Sequence, residues 1–318
     1  MKKVYAGIDL GGTFIKAGLI SPGGARISYF KIPTEVESGL NTVRDNLIKA
    51  GKRLISISGR KRMKLCGIGI GSPGTVRYPE GIVTDSSPNI PGWVGTSFGG
   101  LSADLKIEVR ADNDANCMAL GEYMFGAGRG TRSGFYITIG TGIGGAFIYN
   151  GRLIRGASYA AGEFGHTALK YNGKKCKCGR RGCVEAYTAV PALIQSAKKL
   201  AKKHPYSSLR KKLDGLTSHM IFDAFKKGDR AASEAVRLNA AMLGSAVGSV
   251  VNLFNPEIVV VGGGLAEAGK KYIDELRKNI IAFAFGSAAN SLKIRSARLG
   301  NSAGWIGAAC LNFDKNNR

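Results

Sequence analysis

One imidazole, three thiols and two carboxylates fall in the single stretch from Gly162 to Glu185. His166, Cys176, Cys178 and Cys183 are the mixture of nitrogen and sulfur donors that a tetrahedral zinc takes, and Gly179 and Gly182 let the backbone fold tightly around an ion. They read as a closed structural zinc site. Glu163 and Glu185 flank these ligands, so a metal that pins the loop also brings two distant acids together in a rigid polar cup. The competing reading makes the cysteines free thiols or a disulfide. Cys176 and Cys178 are too close in sequence to bridge comfortably, and six cysteines without a signal peptide point to a reducing compartment. Cys66, Cys117 and Cys310 lie in apolar surroundings and read as core fillers.

Five further groups could do chemistry. Asp9 ends an apolar run and is followed by Gly11, Gly12 and Thr13, with Lys16 nearby. Freed backbone amides, the hydroxyl and the ammonium could cradle phosphate oxygens, and Asp9 could hold a hydrated magnesium. A plain hairpin with a solvated Asp is the bland alternative. No Walker loop is present, because its Lys-Ser/Thr and its helix are both missing. Asp112, Asn113 and Asp114 are more than one helix cap needs, and a spare carboxylate at a strand-to-helix junction suits a general base, with the Asn fixing the same hydroxyl. Gly140 to Gly145 repeats the opening pattern. It also matches a dinucleotide fingerprint, which is rejected because the chain returns to a strand instead of opening a helix. Gly262, Gly263 and Gly264 allow close backbone approach to a flat ligand such as adenine. In the Gly- and Pro-rich loop from Ser72 to Trp93, Asn89 could serve a sugar hydroxyl pair or simply make a turn.

The elements that must position these groups come in two similar sets. Val4 to Leu10 and Phe14 to Ile20 read as strands around the first Gly turn, and Phe135 to Ile139 and Ala146 to Tyr149 as strands around the second. Helix 40–57 precedes strand 65–71, and helix 231–254 precedes strand 258–261, so the chain looks like two copies of one plan. A helix over 115–125 follows the Asp112–Asp114 turn. Peripheral helices fill 190–229, broken at Lys203 to Ser208 and capped at Thr217. A helix is expected over 265–278, and the apolar helix 303–312 could pack back on the first half.

Forty-six Lys and Arg against twenty-two Asp and Glu leave a formal charge of +24. That surface concentrates polyanions, from nucleotides to nucleic acid. The basic clusters lack interleaved aromatics and any nucleic-acid module, so they read as solvated faces. Lys2 and Lys3 resemble a signal start, but Asp9 interrupts the apolar run. Leu238 to Pro256 carries no charge, and its Asn, Ser and Gly favour a core helix over a bilayer span. The expectation is a soluble cytoplasmic protein.

Taken together, Asp9-Leu-Gly-Gly-Thr13, Asn113-Asp-Ala-Asn116, Gly140-Thr-Gly-Ile-Gly-Gly145, Gly162-Glu-Phe-Gly-His166, the Cys176 to Glu185 run and Val261-Gly-Gly-Gly264 resemble the ROK family of bacterial sugar kinases and repressors. The resemblance covers essentially the whole chain. It implies an α/β protein of two actin-like (ribonuclease H-like) α/β domains with an interdomain cleft: residues 1–112 plus 301–318, and residues 113–300 carrying the zinc loop and peripheral helices. It implies phosphate contacts from Gly11, Gly12 and Thr13 and from Gly140, Thr141 and Gly142, Asp114 as catalytic base, and sugar contacts from Asn89, Asn113, Glu163, His166 and Glu185, with His166 serving zinc and sugar alike. Repressors of the family carry a DNA-binding region ahead of the Asp-Leu-Gly-Gly-Thr motif, which here begins at residue 9, so an enzyme is expected. The implied activity is transfer of the terminal phosphoryl group of ATP, with Mg2+, to the 6-OH of glucose, in a homodimer or homotetramer whose domains close on the sugar. Other acceptors sharing this pocket are N-acetylmannosamine and N-acetylglucosamine, with Thr75 and Ser87 as positions that could decide near C2. A polyphosphate donor and a non-catalytic sugar-sensing regulator are the other readings.

Overall fold

The computed structural model describes residues 1–85, 90–265 and 269–313. In chain order the elements are β1 (Lys3–Leu10), β2 (Phe14–Ile20), β3 (Arg26–Pro33), α1 (Leu40–Arg60), β4 (Lys64–Ser72), β5 (Val76–Arg77), β6 (Ile82–Val83), α2 (Gly99–Leu105), β7 (Val109–Asn113) and α3 (Asp114–Phe125). Then come β8 (Gly134–Ile139), β9 (Ile143–Tyr149), β10 (Arg152–Ile154), α4 (Glu185–Thr188), α5 (Val190–Lys203), α6 (Ser218–Lys226), α7 (Arg230–Phe254), β11 (Ile258–Gly262), α8 (Lys270–Phe283), α9 (Gly286–Ser291), β12 (Lys293–Ser296) and α10 (Ala303–Cys310).

The two-copy plan is visible in the sheets. The first has the order β3-β2-β1-β4-β7 and the second β10-β9-β8-β11-β12. In the first, β1 and β2 pair antiparallel while β1, β4 and β7 run parallel. In the second, β9 and β10 pair antiparallel while β8, β11 and β12 run parallel. Parallel central strands are covered on both faces and so read as continuous apolar runs; Ile258 to Val261 are all fully buried.

Two compact units result: Met1–Arg132 with Ala146–Gly162 and Arg298–Arg318, and Ser133–Gly145 with Glu163–Ala297. The division differs from the expected boundary at residue 112. Helix α3 belongs with the first unit because it packs against α10, β4 and β7. In that unit α10 lies so close to β1 and β4 that a side chain at Gly7 or Gly69 would run into its backbone. Trp305 of α10 is fully buried with Tyr5, Ile20, Ile306, Ala309 and Phe313.

In the second unit α7 packs on α5, α6 and α8. Among the described residues it is the one helix long and apolar enough to cross a bilayer, yet 56% of its most apolar window is buried inside the protein. Much of its apolar surface thus faces the core, while Leu238, Leu253 and Phe254 stay exposed. Two local expectations need correction. The loop from Ser72 to Trp93 contains the small hairpin β5–β6, and α8 starts at Lys270 and ends at Phe283, later than the expected 265–278. Gly269, at φ +89°, holds a conformation that a helix interior does not contain, so the helix begins only after it.

Candidate active site

In the first unit, Asp9 faces Lys16 across the β1–β2 pair, with Nζ 3.4 Å from Oδ2. Burial pushes the Asp9 carboxyl above its usual range, and Lys16 offsets part of that shift. The turn between them is latched by a residue that no motif announces: the Thr34 hydroxyl donates to the Gly11 carbonyl at 2.6 Å, and the Thr34 N–H donates to the Thr13 carbonyl at 3.0 Å. Gly12 and Thr13 remain exposed at the tip of the turn.

Asn113 is the N-cap of α3, its side-chain oxygen accepting from the N–H groups of Ala115 at 2.9 Å and Asn116 at 3.2 Å. Its amide donates to the Gly74 carbonyl at 3.0 Å, so the turn is tied to the loop after β4. Asp114 opens the helix and accepts from the Ala115 N–H at 2.8 Å. A carboxylate there sits at the favourable end of the helix dipole. Asp112 is 1% exposed. It is thus the buried member of the triplet, while Asn113 performs the capping.

In the second unit, the turn after β8 is closed by Gly140 N–H donating to the Gly142 carbonyl at 2.9 Å, and Val190 N–H donates to the Gly140 carbonyl at 3.0 Å. A β-carbon at position 142 would lie 2.6 Å from Glu185 Oε2. The same oxygen accepts from the Ile143 N–H at 2.9 Å. The Gly-rich turn and the acid at the start of α4 are therefore one structure, a link that the sequence motif for phosphate does not show. Gly263, at φ +82°, comes against the backbone of Ile139, and Gly264 beside it is exposed.

Four ligand atoms from His166, Cys176, Cys178 and Cys183 lie within 4.8 Å of one another. His166 Nδ1 is 3.9 Å from Cys176 Sγ, and Cys178 Sγ is 3.7 Å from Cys183 Sγ. Zinc–sulfur bonds of about 2.3 Å in a tetrahedron put sulfurs about 3.8 Å apart, so both the donor set and its spacing fit zinc. A disulfide is not present: all six cysteines are free. Burial and the neighbouring thiols push Cys183 up to about 12, and burial also raises Cys176. At Cys178 burial acts upward too, but hydrogen bonds from the Arg180 backbone and the adjacent thiols outweigh it and lower the thiol.

Around this cluster, Glu163 Oε2 is 4.0 Å from His166 Nε2, and Glu185 Oε1 is 3.8 Å from Cys176 Sγ. With Nδ1 facing the thiols, Nε2 faces the open side with Glu163. One short loop thus gathers two carboxylates and an imidazole nitrogen, a set that can bind several hydroxyl groups at once. Asn89 and Ser87 lie outside the described residues. Thr75 is buried, its carbonyl accepting from the Thr84 N–H at 2.9 Å.

The model of the ROK family matches residues 5–315. The chain belongs to the ROK family. Glucokinase from Halalkalibacterium halodurans is 34% identical over 312 residues, covering 96% of this chain and 94% of that one. Glucokinase from Thermotoga maritima is 34% identical over 310 residues, covering 96% of each. The crystal structure of a ROK glucokinase from Streptomyces griseus, in complex with glucose and AMPPNP, superposes with a TM-score of 0.84 at 32% identity, covering 97% of this ROK chain and 98% of that one. The pair of five-stranded sheets is accordingly that of the actin-like sugar-kinase fold.

Proposed function

We propose that this ROK protein is an ATP-dependent glucokinase, transferring the terminal phosphoryl group of ATP to the 6-OH of glucose. The reading rests above all on the cup formed by Glu163, His166 and Glu185 around the Cys3His cluster, whose polar groups suit a polyhydroxy ligand. Asp114 is the proposed base, accepting the hydroxyl proton as the new bond forms, with Asn113 and Asn89 holding sugar hydroxyls. Gly12, Thr13 and Lys16, with Thr141 and Gly142, are assigned to the phosphates through backbone amides and one ammonium. Gly11 and Gly140 shape the two turns by donating their own N–H groups to the Phe14 and Gly142 carbonyls, and Gly262 to Gly264 are assigned to the adenine. Positioning and charge stabilisation supply most of the rate, as in other phosphoryl transfers. Magnesium arriving with the nucleotide would neutralise phosphate charge, with Asp9 the candidate carboxylate for its water shell.

Zinc at His166, Cys176, Cys178 and Cys183 is assigned a structural role, because four protein ligands leave no open position. Reduced cysteines in such a site fit the cytoplasm. A homodimer or homotetramer fits the exposed apolar side chains of Leu253, Phe254, Phe283 and Phe285 at the ends of α7 and α8. A coupled assay of ATP consumption against glucose, mannose, fructose, allose and the two N-acetylhexosamines tests the function, with polyphosphate replacing ATP in parallel. Preference for glucose with ATP is expected. No turnover with any sugar in zinc-replete protein would overturn the reading.

A further inference from the structure

Arg155 stands just beyond β10 and belongs to none of the motifs. Its side chain is 17% exposed, and its guanidinium lies 3.9 Å over the ring of Tyr78. Nε donates to Asp112 Oδ2 at 2.8 Å, while Nη2, 2.7 Å from the same oxygen, is off the line of a hydrogen bond. The other oxygen of Asp112 accepts from the Asn113 N–H at 2.8 Å and from the Asn116 amide at 2.8 Å. Asp112 therefore grips both sides of the turn that carries Asp114. A buried carboxylate is costly without a cation paired to it. Arg155 is the cation in hydrogen-bond contact with it.

We propose that Arg155 is a positioning residue for phosphoryl transfer: by pairing with Asp112 it holds the Asn113–Asp114 turn in the geometry that the base requires. Three separate segments meet at this turn. Gly74 receives the Asn113 amide, Tyr78 supplies the ring under the guanidinium, and the loop after β10 supplies Arg155 itself. The backbone of that loop is braced in turn, the Ala161 N–H donating to the Arg155 carbonyl at 3.0 Å. Without the cation, the buried Asp112 carboxylate either draws away from its place or loosens its bonds to Asn113 and Asn116. Either change shifts Asp114 by a fraction of an ångström or more, and displacements near 1 Å can cost on the order of 10²-fold in rate.

The proposal rests on Asp114 as the base, so Asp114→Asn is measured beside it. Steady-state kinetics and calorimetric glucose binding are compared for the wild type, Arg155→Met, Arg155→Lys and the double variant Arg155→Met with Asp112→Asn. Arg155→Met is expected to lose about 10²-fold in kcat, with the KM for ATP unchanged. The double variant should recover much of that loss, since the unpaired charge is gone and the amide oxygen still accepts from Asn113 and Asn116. Arg155→Lys should fall between wild type and Arg155→Met. If Arg155→Met does not fold, the Lys variant and the double variant carry the test, both expected to bind glucose normally while differing in kcat. Wild-type kcat in Arg155→Met, or a double variant no better than the single one, would overturn the positioning role. Normal turnover in Asp114→Asn would instead remove the base, a separate failure.

Discussion

At the Asp112–Asp114 turn, side chains hold one another: Asn113 caps α3 and reaches Gly74, Asp112 takes Asn113 and Asn116, and Arg155 compensates Asp112. The loop from Glu163 to Glu185 has little regular structure beyond a 3₁₀ turn at Phe164–His166 and the four-residue α4. Its carboxylates are placed by backbone stitches and by a cluster of ligand atoms that invites an ion. The first region is ordered by the chain alone. On the proposed zinc reading the second leaves part of its order to a metal, so that its fitness would change without a change of sequence.

The largest expected effect lies in the first region. Asp114→Asn should keep glucose affinity and lose roughly 10² to 10⁴-fold in turnover, the usual span for a general base, measured by kcat beside calorimetric binding. Near-normal turnover would mean that the well-ordered turn is a cap and nothing more. Next comes metal removal. Chelation, or Cys178→Ser, should weaken glucose on the order of tenfold, because hydrogen bonds to charged groups worth about 1.5–3 kcal/mol lose their geometry. The main thermal transition should move less than the affinity does. Equal glucose affinity before and after chelation would erase the contrast between the two regions.

Gly142→Ala is a finer probe of the second region. The added β-carbon displaces the end of Glu185 and breaks its bond to the Ile143 N–H, a loss of about 1 kcal/mol that should appear in the KM for glucose as a several-fold rise. A change confined to the KM for ATP would assign Gly142 to the nucleotide alone. The smallest effect is a control outside both regions. Asp229 caps α7 and also accepts from Ser207 and Ser208; burial acts to raise its carboxyl, but the hydrogen bonds win and hold it below the usual range. Its contribution is present above the ordinary carboxylate value of 3.8 and is lost as pH falls through the lowered one. Asp229→Asn should cost about 1 kcal/mol near neutral pH and progressively less toward acid, read from melting curves, with kcat unaltered.

Much of this was legible in the chain. Strand, Gly turn, strand is a local pattern, and both copies of it appear where the apolar runs place them. The Cys176–Cys183 spacing is local as well, and with His166 its ligand atoms come within 4.8 Å of one another. What the sequence hid were pairings over long separations. Thr34 latches the Gly11 turn, Glu185 reaches back to Ile143, and Arg155 finds Asp112, each through a contact that no periodicity encodes. The late start of α8 was hidden for another reason: its apolar pattern runs smoothly past Gly269, and only the backbone angle there says where the helix can begin.

The packing of α10 bears on how the chain is made. Tyr5 and Ile20 come off the ribosome long before Trp305, Ile306, Ala309 and Phe313, with which they share a buried cluster. Glu122, fully buried, likewise waits for the N–H groups of Arg298 and Leu299, which it accepts at 3.0 and 2.7 Å. The first unit therefore waits for α10, which follows the whole of the second unit in the chain. Until α10 emerges, the central strands of the first unit stand with one face uncovered while the second unit already has its chain in hand. Apolar surface left open in that interval is where a nascent chain meets chaperones or aggregates.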